Sequence, residues 1–182
     1  MGNYIFCLIG ASGSGKTTIA SILERKYGLR QIQSYTTRPK RSEDETGHTF
    51  ITYPEFLELK DICAYDRYNG YEYCATKDQI ESCDIYVVNP NGVAQLRDKY
   101  KGTKKIITIF IKAGLKDRYL RMRERGDSVE ATLSRVKNDA TEFKNYDKKC
   151  SFSIENSNKT NAGYTADKIY EYICKFTKKG VS

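Results

Sequence analysis

The sequence predicts an α/β fold in which helices cover both faces of a five-stranded parallel sheet. An apolar run at residues 4–9 is followed by a glycine-rich loop and a helical pattern, the order in which such folds begin. Further strands are predicted at residues 31–34, 85–89, 105–111 and 151–155, with helix-like stretches between several of them. A closing helix is predicted over residues 165–178. This alternation favours one parallel sheet between two helix layers.

The loop after the first strand is a phosphate-binding motif, since residues 10–18 read Gly-Ala-Ser-Gly-Ser-Gly-Lys-Thr-Thr between a strand and a helix. Its glycines allow backbone N–H groups to point inward around a phosphate chain. Lys16 is expected to contact the β- and γ-phosphates of a nucleoside triphosphate, and the Thr17 hydroxyl to ligate Mg²⁺. The expected nucleotide-binding residues are Gly10, Ala11, Ser12, Gly13, Ser14, Gly15, Lys16, Thr17 and Thr18. A chance glycine turn is the alternative, and the flanking elements argue against it.

The length and hydropathy pattern favour one domain without a membrane segment. A chain of 182 residues can form a single full core with small inserted regions. No apolar run reaches the roughly 18 residues of a membrane span, and the N-terminus enters a strand pattern rather than a signal peptide. We therefore expect a cytoplasmic protein with no membrane partner.

The cysteine spacing and the net charge indicate which metals and anions the protein is expected to bind. Six cysteines are present without a C-x-x-C pair, and His48 is the single histidine, so a zinc site is not expected. The formal charge of +8 suits either nucleic acid or a site for polyphosphate anions. The sequence contains no nucleic-acid-binding motif, repeat or low-complexity tract, so we expect no nucleic-acid partner.

Two regions depart from the regular alternation. Residues 35–80 contain short tyrosine-rich segments with Asn-Gly between two of them, which predicts a hairpin in a small β-rich insertion. Residues 117–139 are crowded with arginines and carry a helical stripe of Val129, Leu133 and Val136, which suits a basic helical lid. A solvated charged helix is the alternative for this region. The predicted core of the single domain is then residues 1–34, 81–116 and 140–182.

Four segments in sequence order resemble the guanylate kinase family, and the likeness covers nearly the whole chain. They are the phosphate loop, Ser-Tyr-Thr-Thr-Arg-Pro-Lys-Arg at 34–41, Asn-Gly-Tyr-Glu-Tyr at 69–73 and Arg-Met-Arg-Glu-Arg-Gly at 121–126. The resemblance implies that an insertion for the nucleoside monophosphate and a lid close over two nucleotides. It further implies that the γ-phosphoryl of ATP, with Mg²⁺, passes to GMP. A monomer or a homodimer is expected.

The same resemblance assigns roles to individual residues. The implied acceptor-binding residues are Ser34, Arg38, Arg41 and Tyr73, with His48 in place of a second phosphate-contacting tyrosine. The arginines implied to fold over the transferred group are Arg121, Arg125 and Arg135, and Asn156 is implied on the adenine side. Arginine forks suit this task, because phosphoryl transfer mainly requires that two anions be aligned and their repulsion neutralised. Lys16, Arg38, Arg125 and Arg135 are the expected catalytic residues.

The departures from the family concentrate on recognition of the base. Ala64 stands where the family has a glutamate that accepts hydrogen bonds from guanine, and Ala75 replaces a small hydroxyl residue. The Asp-x-Asp strand end becomes Val-Val-Asn at 87–89, which leaves Asn89 as a weaker helper of the metal. A guanine edge facing alanines would leave its donors unpaired, so weak or altered base choice is predicted unless Asp66 or Glu72 supplies a carboxylate.

Three other functions stay open at this stage. The first is a kinase of the same fold that acts on another nucleoside monophosphate or on a ribose bisphosphate. The second is a non-catalytic binding module of guanylate kinase type, although such modules usually have a decayed phosphate loop. The third is a nucleic-acid binder, and the net charge of +8 is the one feature that supports it.

Overall fold

Two four-stranded β-sheets form the framework of the part of the chain that the computed structural model describes, residues 3–40, 43, 45–68, 70–157 and 161–178. The strands are β1 (Tyr4–Ile9), β2 (Ser34–Thr36), β3 (His48–Phe50), β4 (Ile62–Tyr68), β5 (Tyr71–Thr76), β6 (Ile85–Val87), β7 (Lys105–Lys112) and β8 (Phe152–Glu155). The helices are α1 (Lys16–Tyr27), α2 (Tyr53–Glu58), α3 (Lys77–Ser82), α4 (Pro90–Lys99), α5 (Leu115–Glu124), α6 (Val129–Glu142) and α7 (Ala162–Lys178), with a 3-10 turn at Tyr146–Lys148.

The first sheet is parallel, in the order β6-β1-β7-β8, and β1 lies between two neighbours. Its alternate residues pack into two apolar layers. Phe6 and Leu8 face Ile19 and Leu23 of α1 together with residues of α7, whereas Cys7 belongs to the opposite layer with residues of α4. The α/β class with helices on both faces is therefore confirmed.

The predicted fifth parallel strand at 31–34 is wrong in the described structure. Gln31 forms only an isolated bridge to Ile85, and Ser34 already belongs to β2 of the second sheet. A strand inside a doubly covered parallel sheet is buried on both faces, and the polar Gln33 and Ser34 do not suit that environment. The chain therefore leaves the first sheet after one bridge.

The second sheet has the order β3-β2-β5-β4 and carries the predicted hairpin. Strands β4 and β5 pair antiparallel and end at the pair Tyr68 and Tyr71, with Gly70 at a φ of 82° in the turn. Glycine suits this left-handed backbone because it has no Cβ. Asn69 and Arg41 lie outside the described residues. The division of the chain into core, insertion and lid stays a prediction.

Helices α5 and α6, which we call the lid helices, pack together at the arginine-rich region. The helical spacing predicted for Val129, Leu133 and Val136 is confirmed, since all three lie on α6. Val129 and Leu133 are nevertheless 41 % and 55 % exposed, whereas Thr132 and Asp139 of the same helix are buried. The two buried residues of α6 are thus polar, and Asp139 contacts Ser12 of the phosphate loop. None of the described helices is long and apolar enough to span a membrane.

Replacing Leu23 with alanine is expected to lower the free energy of unfolding by about 2–5 kcal/mol, because its side chain is fully buried between α1 and the first sheet. Leu57 on α2 is 66 % exposed, so Leu57→Ala is the matched control. That control should change the free energy by no more than about 0.5 kcal/mol. Denaturant unfolding of both variants measures the difference, and equal losses would contradict the assignment of Leu23 to the core.

Candidate active site

The phosphate loop connects β1 to α1 in a conformation that its glycines permit. Gly13 has a φ of 74° and Gly15, the residue that precedes α1, has a φ of 92°. A Cβ at Gly13 would lie 2.5 Å from the carbonyl oxygen of Arg118, so the loop also approaches α5 closely. The free N–H groups at the start of α1 make this end of the helix a favourable place for an anion.

A buried ion pair holds one side of the loop. The Asp139 carboxylate of α6 accepts a hydrogen bond from the Ser12 backbone N–H at 2.9 Å and ion-pairs with the Arg118 guanidinium. Arg118 Nε in turn donates to the Ser12 carbonyl oxygen at 2.9 Å. The two charged side chains are only 13 % and 8 % exposed. Both lid helices are thereby tied to Ser12. The sequence analysis missed this pair, although a carboxylate at helical spacing from Val136 on α6 was a usable signal.

Asn156 and Arg121 hold the opposite side of the loop. The buried Asn156 side chain donates from Nδ2 to the Ser14 carbonyl oxygen at 2.8 Å, and its Oδ1 accepts from Thr165 Oγ1 at 3.3 Å. Arg121 donates to the carbonyl oxygens of Asn156 and Gly13. Both residues also line a small cavity next to Gly15. The structure thus brings the two predicted donor-side residues to the loop, where they fix its backbone.

Lys16 projects from the first turn of α1 back over the loop. Its Nζ donates to the carbonyl oxygens of Gly10 at 2.6 Å and Ala11 at 3.1 Å. Burial lowers the pKa of Lys16 to about 8, and the nearby Asp139 carboxylate partly opposes that effect. A bound phosphate would offer the ammonium stronger acceptors than these neutral carbonyls.

The lid arginines surround a cavity of about 330 Å³ beside the loop, which we call the loop cavity. Its lining residues are Ser12, Gly13, Gly15, Lys16, Thr17, Thr18, Arg121, Arg125 and Arg135. Arg125 forms a two-pronged ion pair with Asp127 at 3.1 and 2.6 Å, and Arg135 Nε lies 3.6 Å from the same carboxylate. Asp127, which the sequence analysis did not single out, therefore gathers two of the predicted catalytic arginines.

A second cavity of about 330 Å³ adjoins the first, and we call it the tyrosine cavity. Its lining residues are Lys16, Ser34, His48, Ala64, Tyr65, Asp66, Tyr68, Tyr73, Tyr86, Val87, Val88, Asn89, Gly92 and Arg135. Lys16 and Arg135 line both cavities. The boundary between the two cavities is therefore marked by two cationic side chains.

The predicted acceptor-phosphate residues meet at one end of the tyrosine cavity. Ser34 Oγ lies 2.9 Å from His48 Nδ1, and the His48 ring packs edge-on against Tyr73 with 5.6 Å between centroids. Arg38 Nε donates to the Tyr73 hydroxyl at 3.2 Å. The Arg38 guanidinium is also paired with Glu45 at 2.8 Å, and Glu45 raises the pKa of Arg38.

The base-recognition positions are apolar, as the sequence indicated. Ala64 and Ala75 are opposite each other on β4 and β5 and are at most 1 % exposed. Ala64 lines the tyrosine cavity, whereas Ala75 is packed in the core beneath it. Asn89 caps α4 through its Oδ1, which accepts from the Gly92 N–H at 2.7 Å. That oxygen is therefore committed to the helix rather than free for a metal.

The guanylate kinase family model matches residues 3–166 of this chain. The chain belongs to the guanylate kinase family. A guanylate kinase from Fusobacterium nucleatum is 27 % identical over 153 residues, which are 76 % of this chain and 80 % of that protein. One from Bartonella quintana is 28 % identical over 156 residues, or 79 % of this chain and 70 % of that protein.

A solved structure supports the fold independently. The guanylate kinase structure from Anaplasma phagocytophilum superposes with a TM-score of 0.66 at 19 % identity, covering 95 % of this chain and 85 % of that one. As a guanylate kinase family member, the chain is a nucleoside monophosphate kinase, and the predicted enzyme class is confirmed. The roles of the individual site residues stay predictions.

Asp139→Ala is expected to lower the free energy of unfolding by about 3–5 kcal/mol, because it leaves the Arg118 guanidinium buried without its anion. Affinity for a nucleoside triphosphate should also fall, since the Ser12 N–H loses its acceptor. Denaturant unfolding and titration calorimetry measure the two effects. Asp147→Ala is the control, because the Asp147 pair with Lys112 is 40 % and 38 % exposed and should contribute less than about 1 kcal/mol. Equal losses in both variants would refute the role of the buried pair.

The lowered pKa of Lys16 predicts that triphosphate binding takes up a proton at alkaline pH. The phosphates favour the ammonium form, so the pKa of Lys16 rises on binding, and affinity should fall as the pH rises above about 8. Calorimetry in buffers of different ionisation enthalpy should show roughly one proton taken up at pH 9 and almost none at pH 7. Lys16→Met should abolish the uptake. Uptake that persists in this variant would assign the proton to another group.

Proposed function

We propose that this chain transfers the γ-phosphoryl group of ATP to GMP, with Mg²⁺, and that the loop cavity holds the donor and the tyrosine cavity the acceptor. The observation that carries the proposal is that Lys16 and Arg135 line both cavities. A phosphoryl group that moves between two nucleotides must cross such a boundary, where cations offset the repulsion of the two anions. The related proteins named guanylate kinase support GMP as the acceptor.

The residues of the loop cavity fit the donor and its metal. The glycine loop offers backbone N–H groups to the phosphates, and Lys16 can exchange the Gly10 and Ala11 carbonyls for phosphate oxygens. The exposed Thr17 hydroxyl is the protein ligand expected for Mg²⁺. Within the described residues no cluster of three or more His, Cys, Asp or Glu side chains could hold a metal ion. The phosphates and water would therefore supply its other oxygen ligands, and the metal would neutralise charge on them.

The acceptor phosphate would bind where Ser34, His48, Tyr73 and Arg38 converge. Arg38 is paired with Glu45, a carboxylate whose two oxygens offer the guanidinium the same fork geometry as a phosphate does. We infer that the acceptor phosphate replaces Glu45 on Arg38. This exchange would make binding of the acceptor weaker than the charge of Arg38 alone suggests, because one ion pair is broken as the other forms.

Arg125 and Arg135 would stabilise the charge that spreads over the oxygens of the transferred group. Asp127 holds both guanidinium groups, and its own exposure of 18 % is lower than the 53 % and 31 % of the arginines. The carboxylate thus keeps two like charges together above the loop before the phosphates arrive. The arginines can then bind phosphate oxygens from one side while Asp127 remains on the other. No general base is required, because the attacking phosphate oxygen is already ionised.

The alternative acceptors lack a comparable observation. A ribose bisphosphate has no base to occupy the tyrosine cavity, whose walls are mainly aromatic and aliphatic. A pure binding module would not need the buried pair of Arg118 and Asp139 that holds the phosphate loop at Ser12. A cytoplasmic location and a monomeric or dimeric state are consistent with the proposed enzyme and stay predictions.

The test is ADP release from Mg·ATP with GMP, dGMP, AMP, CMP, UMP or ribose 1,5-bisphosphate offered separately at equal concentration. GMP is expected to give the fastest turnover. Lys16→Ala should reduce kcat by at least about a hundredfold, because the donor phosphates lose their main cation. Lys26→Ala is the matched control on the same helix, since Lys26 pairs with Asp167 away from both cavities and should leave turnover unchanged.

Inertness of the wild-type protein toward all six acceptors would refute the kinase proposal. Preference for ribose 1,5-bisphosphate would refute the nucleotide acceptor while keeping the donor site. An undiminished kcat in Lys16→Ala would remove the phosphate loop from the mechanism.

A further inference from the structure

The tyrosine cavity contains a buried phenol that phosphate binding does not use. Tyr86 lies on β6 and is only 6 % exposed, and its side chain lines the cavity. Its hydroxyl forms no hydrogen bond with any residue that the structure describes. Among the described residues, the Tyr86 hydroxyl oxygen is not one of the unpaired side-chain atoms that are fully excluded from solvent, so it can contact water or a ligand in the cavity. The hydroxyl is therefore available to a molecule in the cavity.

A carboxylate lies in the same cavity and is held in place by an amide. Asp66 is on β4, two residues after Ala64 and directly opposite Tyr73 of β5. Its Oδ2 accepts a hydrogen bond from Asn89 Nδ2 at 2.9 Å. Asn89 is itself fixed, because it caps α4. A carboxylate can accept about four hydrogen bonds, so acceptor positions remain after Asn89 has taken one.

The other nearby carboxylate is not placed for this role. Glu72 is buried, accepts a hydrogen bond from the Tyr65 hydroxyl at 2.6 Å and pairs with Arg67 at 3.5 Å. It does not line the tyrosine cavity. Of the two carboxylates adjacent to the alanine positions, the geometry therefore selects Asp66.

Burial and nearby negative charge keep the Tyr86 hydroxyl protonated, so that it can donate a hydrogen bond. Burial raises the pKa of Tyr86, and negative charge on the surrounding groups, Asp66 among them, raises it further. The phenol therefore stays protonated at neutral pH. A carboxylate that only accepts and a hydroxyl that can donate then line one cavity, which the apolar Ala64 and Val87 also line.

We propose that Asp66 and Tyr86 are the specificity-determining residues for the base of the acceptor, and that Asn89 is a positioning residue that orients Asp66. The inference rests on the proposed function, since it names the groups that select the base at that same site. Asp66 would accept N–H groups from a base edge with two adjacent donors, and Tyr86 would donate to an oxo group beside them. Guanine presents this pattern in N1–H, the 2-amino group and O6.

Adenine fits this wall less well. Its ring nitrogen N1 is an acceptor, so it would face the Asp66 carboxylate with a lone pair, and its 6-amino group would replace the oxygen that Tyr86 needs. Hypoxanthine keeps O6 and N1–H but lacks the 2-amino group. Inosine monophosphate therefore isolates the hydrogen bond between the 2-amino group and Asp66.

The test compares kcat/KM for GMP and inosine monophosphate in four proteins, which are the wild type and the variants Asp66→Asn, Tyr86→Phe and Glu72→Gln. The wild type should prefer GMP by about tenfold or more, the effect of one lost hydrogen bond to a charged group. Asp66→Asn should bring that ratio close to one. Tyr86→Phe should raise KM for both substrates by a similar factor and leave the ratio unchanged. Glu72→Gln, the matched control, should retain the wild-type ratio.

A substrate ratio measured on one preparation does not depend on the fraction of folded protein, so partial unfolding of a variant does not affect the result. A GMP preference that survives in Asp66→Asn would overturn this inference and leave the proposed function intact. A ratio that collapses in Glu72→Gln instead would assign base reading to that carboxylate and overturn the role of Asp66. A wild type inactive with both substrates would refute the proposed function itself.

Discussion

The buried pair of Arg118 and Asp139 is the interaction on which the site depends, because it fixes the backbone of the phosphate loop from the lid side. Asn156 fixes the same loop from the side of β8. These residues come from three separate stretches of the chain, so the loop keeps its shape only when the whole domain is folded. Backbone N–H groups that already point toward the phosphate position need not reorganise when phosphate binds. Such preorganisation is what makes electrostatic stabilisation effective.

Three arginines of the site are each paired with a carboxylate. Arg38 is paired with Glu45, Arg118 with Asp139, and Arg125 with Asp127. Without these acids the cluster of like charges would repel and destabilise the folded chain. The three ion pairs differ in whether a bound phosphate could replace the carboxylate. The Arg118 pair contacts the loop through both of its members. Arg125 lines the loop cavity and Arg38 contacts Tyr73 of the tyrosine cavity, so in the proposed function these two pairs exchange with phosphate oxygens.

At the proposed acceptor site, the side chains depart from the family pattern while the strand pairing and the cavity are present. The strands that carry Ala64 and Ala75 still pair in register, and the cavity above them is retained. Alanines at these positions remove hydrogen-bonding groups and leave an apolar wall. Two polar side chains at other positions, Asp66 on β4 and Tyr86 on β6 of the first sheet, line the same cavity as Ala64. In the proposed site, specificity would therefore depend on side chains around the cavity rather than on the strands that carry them.

The fold class, the phosphate loop, the hairpin between β4 and β5 and the family could all be predicted from the sequence, because each depends on local patterns. Buried apolar runs, glycines at fixed spacing and an Asn-Gly turn constrain the backbone wherever they occur. Local patterns also produced one error, the fifth parallel strand at 31–34. That segment contains residues whose environment is set by distant parts of the chain.

Only the tertiary structure decided which polar residues are hydrogen-bond partners. Asp139 lies 127 residues from Ser12 in sequence, and Asn156 lies 142 residues from Ser14, yet both pairs are in direct contact. The choice between Asp66 and Glu72 was likewise made by the sheet, which turns one carboxylate toward the cavity and buries the other against Tyr65. The sequence by itself determined the family and the donor loop, since a glycine's backbone freedom is local. The buried pair of Arg118 and Asp139 and the proposed base contacts of Asp66 and Tyr86 could be found only in the folded structure, because desolvation and hydrogen bonding depend on what surrounds a group in space.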